Sequence, residues 1–158
     1  MSYLIDGNNV MGQRVGWHRD RARARRELLD ELARFASRRK VRVSVVFDGA
    51  PDEHFADGAS YRGVRVFYAA RGSDADERIK SLVESSRERR TLRVVTSDRA
   101  LAEYVRRCGA PVVRAGEFRR RMEDADAGGA TENTDAPPIE ESTERWMRYF
   151  GVAPEDDE

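Results

Sequence analysis

Asp6, Asp48, Asp76 and Asp98 are the residues whose type and spacing could do chemistry. Tyr3 to Ile5 is a short apolar run that ends in Asp6, and Gly7, Asn8 and Asn9 follow it. Val43 to Phe47 ends in Asp48-Gly49, and Leu92 to Thr96 ends in Ser97-Asp98. A fourth run, Val64 to Tyr68, precedes Ser73-Asp74-Ala75-Asp76-Glu77. Runs this short and β-rich predict strands buried in a sheet rather than helices. In a parallel α/β sheet, ligands bind outside the carboxyl ends of the strands, where these acids would converge. Carboxylates gathered without countercharge raise one another's pKa. A hard divalent cation, magnesium or manganese, removes that cost and takes oxygen ligands. It can orient an attacking water and stabilise charge developing on a phosphodiester. Asp74 and Glu77 are placed to add ligands. Asn9 is a polar helper able to hold an acid or a water, and Asn8 reads as a turn residue.

Each acid also has a structural reading. Asp6-Gly7 and Asp48-Gly49 suit turns. Ser73 or Asp74 can cap a helix, and Asp76 and Glu77 favour its N-terminal dipole. Ser97-Asp98 can cap the next helix. Taken singly, each acid is more often structural; four on one edge favour a site. No histidine competes for the role, since His18 and His54 both fall in loop-like stretches. No Cys/His spacing suggests zinc, and no Gly-rich loop with a following lysine suggests a nucleotide-binding loop.

The elements that must position the acids follow from periodicity. Met11 to Arg19 has no period and reads as a loop. Arg21 to Arg38 reads as a helix, with Leu28, Leu32 and Phe35 on one stripe. Ala75 to Glu88 reads as a second, Arg99 to Arg107 as a third, and Glu117 to Asp124 as a last. Pro111 to Val113 starts a fifth strand. Strands alternating with helices predict an α/β fold with a mainly parallel sheet of about five strands. The Val64 strand could instead form a hairpin edge, because a loop alone links it to Phe47. The reading divides the chain into a body, residues 1–124, and a tail, 125–158. Ala125 to Pro138 reads as an acidic linker. Ile139 to Phe150 reads as a short helix whose Trp146, Met147, Tyr149 and Phe150 need a partner: the body, a second copy of the chain or another protein.

The 158 residues suit one domain, with 37% charged and 39% hydrophobic residues. No apolar run approaches the roughly 20 residues of a membrane span, and no signal segment opens the chain, so no membrane partner and a cytoplasmic location are expected. Cys108 reads as a small, buried or half-buried residue. The zero net charge hides an asymmetry. From Arg121 onward there are 3 basic and 12 acidic residues, net −9, which leaves 26 basic and 17 acidic, net +9, before it. A basic body suggests a polyanionic partner. Arg19, Arg21, Arg23, Arg25 and Arg26 crowd a helix start, where the dipole favours acids. An RNA backbone would explain them; a solvated arm, partly paired by Asp20 and Glu27, is the alternative.

Leu4 to Asn9, Val46-Phe47-Asp48, Ser73 to Ile79 and Val95 to Asp98 occur in an order and spacing that resembles the YacP-like branch of the NYN domain family, within the PIN-like nuclease fold. The resemblance covers the body and leaves out the acidic stretch and the Trp146 segment. It implies a three-layer fold, a central parallel sheet with helices on both sides. It carries Asp6, Asp48, Asp76 and Asp98 over as the acidic positions and Asn9 as the amide after the first acid. Similar proteins are metal-dependent ribonucleases, and some relatives act on messenger RNA at the ribosome. The expectation is therefore an endoribonuclease that uses magnesium or manganese. Its partners would be messenger, transfer or ribosomal RNA and the ribosome, and in-line attack would leave a 5′-phosphate and a 3′-hydroxyl. The rival is a non-catalytic RNA- or ribosome-binding adapter on the same fold. A phosphoacceptor domain fits less well, because Asp6 is followed by Gly7 and Asn8 and no lysine follows the Val112 strand.

Overall fold

The computed structural model describes residues 1–13, 16–51, 53–69 and 73–135, the side chains of 128–135 excepted. The chain runs β1 (Ser2–Asp6), α1 (Gly7–Met11), α2 (Arg21–Arg39), β2 (Arg42–Phe47), β3 (Ser60–Tyr61), β4 (Val64–Tyr68), α3 (Ala75–Ser85), β5 (Leu92–Val95), α4 (Arg99–Arg107), β6 (Val112–Val113) and α5 (Ala115–Asp135). The six strands form one sheet in the order β3-β4-β2-β1-β5-β6. All pairs are parallel except β3 with β4. The hairpin expected near Val64 exists, but its partner is β3. β4 itself lies parallel to β2, with Val43 opposite Val64.

Side-chain alternation along β1 separates the two faces. Tyr3 and Ile5 join a core made with α1, α2 and α5, whereas Leu4 joins a second core made with α3 and α4. Both faces are therefore covered, as an all-apolar strand requires. The α2 stripe buries Leu28, Leu32 and Phe35, and α5 buries Phe118, Met122 and Ala125. The Tyr3 ring lies 5.3 Å from that of Phe35 and 5.4 Å from that of Phe118, which pins both helices to the central strand. Such aromatic contacts add about 0.5–1.5 kcal/mol each beyond area burial.

Two sequence expectations change here. The stretch after Asp6 is the short helix α1, and Trp17–Arg19 forms one 3-10 turn rather than open loop. The stretch from Ala125 to Asp135 is helix rather than linker. Gly128 and Gly129 weaken helical propensity by about 1 kcal/mol each, which is why the sequence suggests a break. Burial outweighs it nearer the body: Phe118, Met122 and Ala125 recur on one face, and Asp126 pairs with Arg34 and Arg38. The boundary after Asp124 thus falls inside a continuous helix. The Ile139 to Phe150 segment and the terminal acids lie outside the described residues. Among the described residues, no helix is long and apolar enough to cross a membrane.

Candidate metal centre

The strand order reverses beside β1: the chain moves from β1 to β2 and β4, then returns to β5 on the other side. At such a switch point the loops beyond the strand ends part and leave a crevice. Asp6 ends β1 and Asp98 follows β5, so the two flank it. Asp6 shares its strand face with Leu4, the face covered by α3 and α4. The starts of those helices bring Asp76 and Asp98 to the same edge.

Asp6 is buried. Thr96 Oγ1 donates to its Oδ2 at 3.0 Å, and the Asn9 backbone N–H donates to it as well. Burial outweighs these bonds and, with the charges of Asp76 and Asp48, pushes its pKa up to about 6. Asp76 is half-buried and is also pushed up to about 6. Burial is the largest cause, followed by the charges of Asp98 and Asp74, a hydrogen bond with the Asp98 carboxyl, and the charge of Asp48. The fold therefore gathers Asp6, Asp48, Asp74, Asp76 and Asp98 into one electrostatic cluster.

The remaining acids also hold backbone. Asp48 Oδ1 accepts from the Ala75 N–H at 2.7 Å, tying the end of β2 to the start of α3. Asp74 caps α3 by accepting from the Glu77 N–H at 3.0 Å. Asp98 caps α4 by accepting from the Leu101 N–H at 3.0 Å. The structural reading is thus realised for Asp48, Asp74 and Asp98, and each of these bonds uses one carboxylate oxygen. Glu77 is exposed on α3, with Lys80 Nζ at 3.5 Å from its Oε2. Among the described residues, no three His, Cys, Asp or Glu side chains stand in an arrangement that could already hold a metal ion.

The amides work differently from the sequence reading. Asn8 is more than a turn residue: its Oδ1 accepts from the Asp48 N–H at 3.1 Å, joining α1 to the end of β2. Asn9 Oδ1 accepts from the Ser97 N–H at 2.6 Å, so its side-chain oxygen holds the loop after β5 while its backbone N–H holds Asp6. Thr96 was missed. It is buried, donates to Asp6, and accepts from the Asp98 N–H at 3.1 Å, linking two acids through one hydroxyl. A threonine where an apolar strand meets an acid is the signal that could have found it. Gly7 was read as a turn glycine; its role is close approach. A Cβ there would stand 2.6 Å from the Phe47 ring and 2.9 Å from the Val46 carbonyl oxygen.

The five arginines divide. Arg25 turns inward: its guanidinium donates to the carbonyls of Asp48 and Ala50 and stands 5.1 Å from the Phe47 ring centroid and 5.3 Å from that of Tyr68. It clamps the loop that carries Asp48. Arg23 pairs with Glu27 at 3.1 Å, and Arg21 lies over the Trp17 ring. Arg19 and Arg26 are exposed. Arg78 anchors α3 to the sheet by donating to the Tyr68 carbonyl at 2.9 Å.

A mostly parallel sheet, covered on both faces and with aspartates from four segments at its carboxyl edge, defines a three-layer α/β domain. A family model for the YacP-like NYN domain matches residues 3–147, and the chain belongs to this family. The match runs through the acidic stretch into the Trp146 segment, further than the four motifs reach. Two solved structures are similar. The crystal structure of a tryptophan-to-leucine mutant of Rae1 (YacP) from Bacillus subtilis has 25% identity and a TM-score of 0.70, over 90% of this chain and 89% of that one. The crystal structure of Rae1 (YacP) from the same organism has 23% identity and a TM-score of 0.67, over 98% and 99%. Comparison with curated proteins gives no match.

Proposed function

We propose that the chain is a metal-dependent endoribonuclease. The observation that carries the proposal is the gathering of Asp6, Asp48, Asp76 and Asp98, from four segments, at the carboxyl edge of the sheet beside its switch point, where each raises the cost of the others' charge. Such a set is unfavourable unless a cation or protons neutralise it. Magnesium fits this donor set: all the groups are hard oxygens, and the ion keeps several waters while using one or two carboxylates. That habit suits acids that are gathered but not closed into a ready cage. Asp6, Asp48, Asp76 and Asp98 would hold the ion, with Asp74 and Glu77 at the rim. Bound magnesium or manganese would supply Lewis-acid stabilisation of the phosphodiester and a water of lowered pKa.

The chain's own residues set the geometry. Thr96 and the Asn9 N–H hold Asp6, the Ala75 N–H holds Asp48, and Asn9 holds the loop that presents Asp98. Arg19, Arg21, Arg23 and Arg26 offer positive charge to the RNA backbone, a contribution that weakens as salt rises.

The test is cleavage of an end-labelled structured RNA with magnesium, manganese or EDTA, using the native chain and a D6N/D98N variant. Cutting that needs metal, is lost in the variant and leaves 5′-phosphate ends supports the reading. Metal-independent cutting, or equal cutting by the variant, overturns the site. A non-catalytic RNA- or ribosome-binding adapter is favoured by one observation, the backbone bonds that Asp48, Asp74 and Asp98 already make. Tight binding that the variant shares, without cutting in any metal, selects it.

A further inference from the structure

Trp17 lies outside the acidic cluster, and nothing in the proposed chemistry uses it. Its neighbours give it a chemistry of its own. It opens the 3-10 turn Trp17–Arg19 and is only half-buried, with part of its ring packed on the core. The Arg21 guanidinium stands 5.6 Å from its ring centroid, and the His18 ring meets it edge-on at 6.2 Å. Its indole Nε1 lies 3.9 Å from where a Cβ on Gly12 would be, and Gly12 caps α1. α1 begins next to Asp6, carries Asn8 and Asn9, and is five residues long, about 8 Å at 1.5 Å per residue.

An aromatic ring in a cationic setting, one short helix away from the acids, matches the way proteins hold single-stranded nucleic acid. Successive bases stack on aromatic side chains or on arginine planes while nearby cations follow the backbone. We propose that Trp17, with Arg21 over its ring, is a stacking platform for a nucleobase of single-stranded RNA bound along the end of α1. A cation bound at the acidic cluster would take the phosphodiester of any RNA; Trp17 requires an unstacked base. The site thereby selects unpaired RNA over duplex. This inference rests on RNA as the ligand but not on catalysis, and a chain that binds without cutting still requires it.

Binding is therefore measured in EDTA, where no metal-dependent cutting occurs. The probes are a fluorescein-labelled oligouridylate and a ribose-phosphate oligomer of the same length that lacks bases. The native chain is expected to bind the base-bearing probe about tenfold more tightly, within the range of one stacked base. Trp17→Leu keeps apolar contact with the core but offers no ring; it should lose that preference and keep its affinity for the baseless oligomer. A Trp17→Leu chain that retains the preference overturns the proposal. Should that variant fail to fold, a Trp146→Phe chain leaves Trp17 as its one tryptophan. Its emission should be quenched by oligouridylate and unchanged by the baseless oligomer, and equal responses to both overturn the platform. Failure of the nuclease reading shows separately, as absence of cutting in magnesium by a chain that still discriminates between the probes.

Discussion

Asp76, at the start of α3, and Asp98, at the N-cap of α4, lie near enough that the Asp98 charge raises the pKa of the Asp76 carboxyl. Burial, followed by the charges of Asp98 and Asp74, pushes the Asp76 pKa up to about 6. Below that pH the Asp76 carboxyl is largely protonated and a poor cation ligand; above it the carboxylate is free to take one. Metal-dependent cleavage should therefore rise as pH increases through about 6, with the same dependence in magnesium affinity measured by calorimetry. Removing the Asp98 charge with Asp98→Asn should bring the Asp76 titration down toward the ordinary carboxylate range. Carbon-13 NMR of the aspartate carboxyls reads that midpoint, and an unmoved Asp76 would contradict the pairing.

Asp6 has an opposite consequence for stability. Its carboxyl ionises near 3.8 in an unfolded chain and near 6 when folded. Between those values the folded state holds a proton that the unfolded state has released. Stability therefore falls as pH rises through this window, and the full penalty applies above it. Asp6→Asn removes the charge and still offers an oxygen to Thr96. In EDTA at pH 8 it should stabilise the chain by roughly 1–3 kcal/mol, since each pKa unit is worth about 1.4 kcal/mol. The gain should shrink toward pH 4. Urea unfolding at the two pH values checks this, and an equal gain at both would remove burial of charge as the cause.

Gly7 tolerates no side chain. An added methyl would meet both a ring carbon of Phe47 at 2.6 Å and the backbone oxygen of Val46 at 2.9 Å. The ring can rotate, but the carbonyl belongs to the central sheet. Gly7→Ala should cost about 1–3 kcal/mol, the usual range for overpacking. It should also weaken magnesium binding, because Asp6 is the adjacent residue. Thermal melting and calorimetry separate the two effects, and a variant with native values in both would show that α1 can shift freely.

Arg25 should behave as a structural residue despite its basic neighbours. Arg25→Ala loses two hydrogen bonds to the Asp48 loop and its contacts with Phe47 and Tyr68. The expected cost is about 2 kcal/mol. Lysine should restore little of it, since a point charge cannot bridge two carbonyls as a planar fork does. Arg26→Ala should leave stability within about 0.5 kcal/mol and lower the slope of RNA affinity against salt by about 1. Denaturation paired with binding at several salt concentrations distinguishes the two arginines; identical behaviour would undo the division.

Residue pattern along the chain is enough to read five of the six strands, most of the helices and the family; β3, two residues inside a loop-like stretch, escapes it. Apolar runs of four to six residues that stop at an acid admit few alternatives, because their side chains must be covered on both faces. Asp6, Asp48, Asp76 and Asp98 were legible for the same reason: the end of a buried strand or the start of a helix is where an acid can meet water or a ligand. Which neighbours each of these acids meets follows from packing instead. Strand order put β1 in the centre and brought Asp76 to Asp98, a contact between separate helices that spacing along the chain cannot express. It turned Arg25 inward while leaving Arg26 exposed, since rotation about α2 sets which arginine meets Phe47. It gave Asn8 the Asp48 N–H and Asn9 the Ser97 N–H, bonds that depend on α1 forming at all. It anchored the start of α5, where Phe118, Met122 and Ala125 are buried on one face. Local patterns report which surfaces must be buried; which polar groups then meet is settled by packing across the whole sheet.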